Sequence, residues 1–332
     1  MRSAQRTVGV IINDLCALRC RHCSLSYTDG YRGTRWQISE ADLRDVVHAA
    51  AHGPYSVVLM AGGEPALAPQ VVRWGVEACR EHGMFSAIVT APMWAKSPEM
   101  ADRFLDKVAG LNIIMLSYDE YHLEFLTREH YLNAARAARR HQTRTFLNVC
   151  QTADRDVGAV LADLTFLDGL IDQVHFQDVL PLGNATELVP PGRPITQVAE
   201  VLELKRSCVA GNALLHRDGD VYACCWATRA PDSPFRYARD RDRTTLAPLK
   251  RLDEDPTLAA VIRDGLIDSL SPAALEEVVG LLRGRSFVNE GDLCVTLMRL
   301  GRERWRTLFP RQLLRRAGTR RGLDPSTSGT TG

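Results

Sequence analysis

The first 205 residues alternate short, apolar, β-branched runs with longer amphipathic stretches. The apolar runs are mostly continuous rather than strictly alternating, which is typical of parallel strands covered on both faces. Strands are predicted at residues 7–13, 56–60, 86–90, 112–118, 144–150 and 172–178. Helices are predicted between them, at residues 39–51, 71–82, 98–109, 129–141 and 157–167. Repeated strand–helix units with right-handed crossovers predict an α/β fold, either an open doubly wound sheet or a partial barrel.

This rhythm breaks at residues 179–194, where Leu-Pro-Leu-Gly-Asn and Val-Pro-Pro-Gly-Arg-Pro are typical of a seam between domains. One further helix is predicted beyond it, at residues 195–205. A hairpin then follows, because residues 213–216 and 221–224 flank the turn sequence Arg-Asp-Gly-Asp. Two more helices are predicted, near residues 256–264 and 272–283. We therefore expect a barrel over residues 1–190, a small α+β domain over 191–298 and a basic tail over 299–332.

Composition and charge exclude several classes of protein. With 332 residues, 45% of them hydrophobic, the chain can bury a sizeable core. No apolar run approaches the roughly 20 residues that span a bilayer, and the one near the N-terminus is too short for a signal peptide. We therefore expect a cytoplasmic protein without membrane partners. The tail carries nine arginines against two acidic residues, but it has no lysines. This favours a solvated, partly helical tail with a disordered end over a nucleic-acid-binding segment.

The chain has nine cysteines, an odd number, and no export signal. A reducing compartment makes a disulfide framework improbable, so clustered cysteines there more often bind metal or perform chemistry. Cys79 and Cys150 stand apart from the clusters and are predicted to be lone buried thiols.

The first cluster follows the first predicted strand directly, as Cys16, Cys20 and Cys23 in a C-x3-C-x2-C loop. Three thiolates on a four-iron cubane leave one iron without a protein ligand, where a substrate or cofactor can bind. Zinc is the alternative, but it prefers four nitrogen or sulfur ligands. His22 as the fourth zinc ligand would be cramped beside Cys23. The spacing therefore favours an iron–sulfur cluster.

A second motif, Gly-Gly-Glu-Pro, ends the second predicted strand. Gly62 and Gly63 allow a ligand to approach the backbone closely, and the Glu64 carboxylate can bind an ammonium group. A tight turn before a helix is the alternative explanation of these residues. Together with the cysteine loop, however, the motif resembles the radical S-adenosylmethionine (SAM) superfamily. The resemblance covers roughly residues 7–180 and implies a partial (β/α)6 barrel with its site at the C-terminal strand ends.

In that family a [4Fe–4S] cluster on three cysteines binds SAM and cleaves it reductively to a 5′-deoxyadenosyl radical, which abstracts a substrate hydrogen. The resemblance implies an electron donor such as flavodoxin or ferredoxin. It places His22 near the adenine, and Ser117 and Asp119 near the ribose or the amino acid of SAM. Asn148 is a further candidate. The alternative for each is a polar residue that satisfies a strand end or caps a helix. The segment 119–122 either faces the substrate or begins a charged helix.

A second set of cysteines resembles the SPASM/twitch extension that follows many radical SAM barrels, in its shorter twitch form. The resemblance implies an auxiliary [4Fe–4S] cluster with Cys208, Cys224 and Cys294 as ligands. Cys225 completes the candidate set. Adjacent residues of a strand point to opposite faces, so Cys225 is alternatively a hydrogen-atom donor to a substrate radical or a packing residue.

The reaction outcome stays open among dehydrogenation, epimerisation and decarboxylation. The first strand begins by about residue 7, which leaves no room for an N-terminal peptide-binding domain. We therefore expect a small polar natural-product intermediate as substrate, such as an amino sugar, cyclitol or nucleoside. The alternative is a maturase of a ribosomal peptide, either an epimerase or a crosslinker. A non-catalytic scaffold with zinc at both cysteine sets is a third hypothesis, and it predicts zinc without iron.

Overall fold

A mostly parallel sheet forms the centre of the molecule. The computed structural model describes residues 6–24, 36–152, 156–189, 192–205, 212–230, 232–239 and 244–309. The first six strands pair in sequence order, all parallel. They are β1 (Arg6–Asn13), β2 (Tyr55–Gly62), β3 (Phe85–Thr90), β4 (Ile113–Ser117), β5 (Arg144–Gln151) and β6 (Gln173–Asp178). All six predicted strands are confirmed within two residues at each end.

Helices connect these strands as the amphipathic pattern predicts. They are α1 (Glu40–Ala51), α2 (Pro69–Glu81), α3 (Pro98–Lys107), α4 (Glu120–Leu123), α5 (Arg128–Arg140) and α6 (Val157–Asp163). Side chains cap their N-termini: Ser39 accepts a hydrogen bond from the Asp42 amide at 3.1 Å, and Ser97 does the same for Met100. The predicted helix at 157–167 is α6 followed by a short 3-10 helix, Leu164–Leu167. Within the described ranges, no helix combines the length and apolar character needed to cross a bilayer.

The described part of the C-terminal half adds short strands and further helices. The strands are β7 (Arg193–Pro194), β8 (Ala213–Leu215), β9 (Val221–Tyr222), β10 (Arg236–Tyr237) and β11 (Ser286–Phe287). The helices are α7 (Val198–Leu202), α8 (Leu246–Asp253), α9 (Pro256–Asp264), α10 (Pro272–Leu282), α11 (Glu290–Met298) and α12 (Gly301–Leu308). The predicted hairpin forms between β8 and β9, and Gly219 supplies the positive φ of 87° that its turn requires.

The sheet crosses the boundary expected at residue 190. β8 pairs in parallel with β1, so the strand order is β10-β9-β8-β1-β2-β3-β4-β5-β6. Arg239 adds a polar tie, since its side chain is only 6% exposed and contacts Asp42 at 2.9 Å on α1. One continuous hydrophobic core also spans both halves. The two predicted domains therefore share a sheet and a core within the described residues.

The start of the predicted tail is packed rather than solvated, which corrects the expectation drawn from its charge. Trp305 and Leu308 on α12 are 2% and 0% exposed. The Trp305 ring stacks on Phe309 at 4.5 Å and contacts Phe235 edge-on at 4.9 Å. Three apolar side chains thus anchor a helix whose other face carries the arginines. Residues 310–332, where the disordered end was predicted, lie outside the described residues.

Candidate active site

A row of polar side chains crosses β4, β5 and β6 and includes Ser117 at the C-terminal end of β4. The register aligns Ser117 with Asn148, and Asn148 with His175, so the three form one row across neighbouring strands. Aligned residues share a face of the sheet. On β5 the residues of the opposite face, such as Leu147, are fully buried, whereas Asn148 and Cys150 are only partly covered. The row therefore faces the open, concave side of the barrel, and it includes His175, which sequence reasoning missed.

The cysteine loop leaves the end of β1. Cys16, Cys20 and Cys23 form no disulfide. Burial raises the pKa of the Cys16 thiol to about 12, and the nearby Glu64, Cys20 and Cys23 charges add to that rise. The Cys23 amide donates to the Cys20 carbonyl oxygen at 3.2 Å, which closes a tight turn between these two cysteines. The three predicted thiols therefore lie on one short loop within electrostatic range of each other.

Gly62 and Gly63 of the Gly-Gly-Glu-Pro motif pack directly against the backbone of Asn13 and Leu15, a contact that the sequence alone did not predict. A Cβ on Gly63 would lie 2.1 Å from the Leu15 carbonyl oxygen, and one on Gly62 would lie 2.4 Å from that of Asn13. The Gly63 amide donates to the Asn13 carbonyl oxygen at 2.9 Å, and the Glu64 amide donates to that of Leu15 at 2.5 Å. Both glycines thus let β2 abut the backbone at the start of the cysteine loop. Their expected contact with SAM stays a prediction.

Glu64 is 2% exposed, and groups of the chain itself surround its carboxylate. One oxygen accepts hydrogen bonds from the Thr90 hydroxyl at 2.5 Å and the Ala66 amide at 2.9 Å. The other oxygen accepts from the Ala91 amide at 2.9 Å. Burial raises the pKa of Glu64 to about 7 in spite of these donors. The carboxylate therefore links the end of β2 to the end of β3 through hydrogen bonds. The sequence led us to expect only its contact with an ammonium group.

Asp119 is 2% exposed and binds two histidines. It caps α4 by accepting from the His122 amide at 2.9 Å, and both its oxygens lie 2.9 Å from His122 Nδ1. His22 Nε2 lies 3.5 Å from the same carboxylate. Burial opposes ionisation of Asp119, but the charges on His122 and His22 and the hydrogen bonds from His122 together outweigh it and lower the pKa of Asp119. Segment 119–122 is therefore a helix start that also contacts the cysteine loop through His22, and its expected contact with the substrate stays a prediction.

The charge on Asp119 also acts on the facing histidine. Burial alone would lower the pKa of His122, yet Asp119 and a hydrogen bond with Cys20 raise it to about 10. His122, His22 and Cys20 bring their ligand atoms within 4.8 Å of one another. The same limit joins His22 and Asp119 to Cys150. Cys150, predicted to be a lone buried thiol, thus lies at the site.

His22 packs on α4 and retains one unused ring nitrogen. Its ring stacks on Tyr121 with centroids 4.7 Å apart, and the adjacent Arg21 forms an ion pair with Glu124 at 2.5 Å. Among the described residues, His22 Nδ1 is buried without a hydrogen-bond partner. Buried polar atoms are normally satisfied, so an orphaned one points to a missing ligand. This observation fits the expectation that His22 lies beside a bound nucleoside.

Cys225 and Cys294 lie on neighbouring segments of the C-terminal half, and the segment of Cys225 contacts the cysteine loop. Cys225 directly precedes a short helix, Trp226–Arg229, and Arg229 donates a hydrogen bond to the Ser24 carbonyl oxygen beside Cys23. On α11, a Cβ on Gly291 would lie 2.6 Å from the Trp226 ring, which shows how closely α11 packs there.

Cys294 follows Gly291 by three residues, so it lies on the same side of α11. Cys208 lies outside the described residues. Cys225 is exposed, whereas Cys224 and Cys294 are partly buried. Even so, desolvation by the surrounding protein raises the pKa of the Cys225 thiol.

Residues 10–152 match the family model for the radical SAM superfamily. The chain carries a radical SAM domain. The matched residues include the cysteine loop, the Gly-Gly-Glu-Pro motif and the polar ends of β4 and β5. The predicted partial barrel is confirmed, as are the [4Fe–4S] cluster and SAM as the cofactors of this radical SAM enzyme. The comparisons do not test the auxiliary cluster or the individual ligand residues, which stay predictions.

Similar proteins span most of the chain. A putative peptide biosynthesis protein, YydG of Bacillus subtilis (strain 168), is 23% identical over 226 residues, which cover 66% of this chain and 69% of YydG. The structure of Streptococcus suis SuiB bound to its precursor peptide SuiA aligns with a TM-score of 0.59 and 13% identity. That alignment covers 87% of this chain and 76% of SuiB. anSMEcpe with bound SAM aligns with a TM-score of 0.54 and 15% identity, over 94% and 99% of the two chains.

Proposed function

We propose that this radical SAM enzyme modifies a peptide. YydG is described as a putative peptide biosynthesis protein, and SuiB binds the precursor peptide SuiA. These similarities support the alternative stated from the sequence, a ribosomal peptide maturase, and they do not support a small polar metabolite. The small-molecule expectation depended on the early start of β1. The residue at which β1 begins does not indicate which substrate binds at the C-terminal ends of the strands.

In this proposal Cys16, Cys20 and Cys23 hold the [4Fe–4S] cluster. The donor set fits, because three thiols on one loop leave the fourth iron open. When bound, the cluster and SAM supply a 5′-deoxyadenosyl radical that abstracts hydrogen. His22 offers its unused ring nitrogen, Nδ1, to the nucleoside. Ser117 lies on the same face of the sheet as Asn148 and His175.

Cys225 is the residue that we propose determines the fate of the substrate radical. Its thiol is exposed, and the segment that carries it is tied to Ser24 of the cysteine loop through Arg229; this is the observation that carries the step. The Cys225 S–H bond breaks, and a C–H bond forms on the face of the substrate carbon opposite to the abstraction. The resulting thiyl takes one electron from the low-potential donor that also serves the cluster and one proton from solvent, which restores the thiol. The product is an epimerised residue.

The test uses the anaerobically reconstituted enzyme with SAM, a reductant and short peptides encoded beside the gene for this chain. In D2O we expect one deuterium at an inverted Cα for each 5′-deoxyadenosine formed. Cys225→Ser should still form 5′-deoxyadenosine but should give no inverted residue. Cys79→Ala is the matched control, because Cys79 is a fully buried thiol on α2 and should leave epimerisation intact.

Three results would contradict parts of this proposal. Absence of 5′-deoxyadenosine from the wild-type enzyme would rule out the radical chemistry itself. A product that has lost two hydrogens would replace epimerisation with crosslinking or dehydrogenation. Turnover of an amino sugar or nucleoside, with none of the peptides modified, would restore the small-molecule interpretation.

A further inference from the structure

The short helix that follows β6, Gly183–Glu187, lies against the cysteine loop. The Asn184 amide donates to the Cys23 carbonyl oxygen at 3.0 Å. Its side-chain Nδ2 donates to the Cys20 carbonyl oxygen at 3.3 Å. A single residue, 161 positions after Cys23 in the sequence, therefore holds both ends of the turn that carries two of the cluster cysteines.

The fold presents Asn184 in a fixed position. Leu180 and Leu182 are 4% and 2% exposed, and Ala185 is fully buried, so three buried side chains anchor the segment in the core. Gly183 adopts a φ of 60°, a left-handed conformation that turns the chain towards the loop. Amide groups in the first turn of a helix have no partner within the helix, which frees the Asn184 amide for Cys23.

The side chain of Asn184 does not cap its own helix. The residue at the cap position is Leu182, which makes no side-chain cap hydrogen bond. Asn184 instead completes the hydrogen bonding of the Cys20 carbonyl oxygen, which also accepts from the Cys23 amide at 3.2 Å. A carbonyl oxygen has two lone pairs, and the two donors use both. The Cys20–Cys23 turn is therefore held from inside the loop and from the end of β6.

We propose that Asn184 is a positioning residue for the SAM-binding cluster. This inference rests on the proposed assignment of Cys16, Cys20 and Cys23 as its ligands. By fixing the peptide planes of Cys20 and Cys23, Asn184 holds the two thiols in the orientation in which both reach one cubane. The segment first interpreted as a domain seam is thus part of the cluster site.

The experiment compares reconstituted wild-type enzyme with Asn184→Ala and Asn184→Asp. Loss of the SAM-binding cluster to an iron chelator is followed through the change that SAM produces in the EPR spectrum of the reduced protein. For Asn184→Ala, which loses one hydrogen bond, we expect cluster loss about 2- to 10-fold faster than in the wild type. Asn184→Asp should be faster still, because it places a carboxylate oxygen against the Cys20 carbonyl. Hydrogen exchange should also increase in residues 16–24 of the loaded enzyme.

Thr186→Ala is the matched control on the same helix, since the Thr186 hydroxyl contacts only the Gly183 carbonyl oxygen among the hydrogen-bond acceptors of the described residues. It should release the cluster at the wild-type rate. Wild-type release rates in both Asn184 variants would overturn the inference. So would cluster loss that only parallels a fall in the unfolding temperature of the cluster-free protein. If Cys20→Ala retains the SAM-dependent EPR change, the ligand assignment fails instead, and the two failures are distinguishable.

Discussion

Replacing Glu64 with Gln should change how the stability of the cluster-free protein depends on pH. The fold raises the pKa of this buried carboxyl from an ordinary 4.5 to about 7. Between those two pH values the folded chain retains a proton that the unfolded chain has released. The free energy of unfolding therefore falls as pH rises through this window. A shift of roughly 2.5 pKa units corresponds to about 3 kcal/mol.

The assay is urea unfolding of wild type and Glu64→Gln under reducing conditions, at pH values from 5 to 8. The amide of Gln faces donors such as the Ala91 N–H, so the variant carries a penalty, but that penalty is independent of pH. The wild-type advantage should therefore be largest at pH 5 and should shrink by roughly 2.5 kcal/mol by pH 8, since at pH 5 the unfolded carboxyl is already partly ionised. Glu77→Gln is the control, because Glu77 is partly exposed and its pKa is lowered, not raised, by Arg73. Parallel pH profiles for wild type and Glu64→Gln would refute the reasoning.

Three further predictions concern the same framework and are read by urea denaturation. Gly63→Ala places a Cβ 2.1 Å from a backbone oxygen of the cysteine loop and should cost about 3 kcal/mol. Gly280→Ala, which meets nothing within 4 Å, should be neutral or slightly stabilising; equal costs would contradict the contact. Asp119→Asn should cost about 3 kcal/mol and lower the pKa of His122, measurable by NMR, and an unchanged pKa would contradict the pairing. Arg239→Met should cost about 1 kcal/mol, because it removes ion pairs with two partly exposed carboxylates of α1 that keep hydrogen bonds from Ser39 and Thr245; a neutral result would mean that the halves are held by apolar contacts alone.

The sequence by itself determined the strand–helix framework and the chemistry at the strand ends. Hydrophobic runs of β1 to β6 are local signals, so they located the parallel strands within two residues at each end. The cysteine loop and Gly62–Glu64 each occupy a few consecutive positions after a strand. Since the carboxyl ends of parallel strands meet at one edge, their proximity followed from the topology.

Only the tertiary structure decided which distant residues support that chemistry. Asn184 reaches Cys20 and Cys23, and His122 reaches Cys20, because chain segments far apart in sequence meet beyond the strand ends. Periodicity carries no information about such meetings, since a polar residue in a turn looks the same whether it faces water or a cluster loop.

The packing of the C-terminal half was hidden for the same physical reason. The many arginines around Trp305 led to the expectation of a solvated tail. The burial of Trp305 and Leu308, which holds α12 in place, depends on apolar partners elsewhere in the chain. Likewise, β8 pairs with the open edge of β1. Any segment of suitable register and apolar face can form these backbone hydrogen bonds, so the local sequence does not specify the pairing. Local patterns therefore specify which elements form, and the pairing of remote surfaces specifies where they come together to make a site.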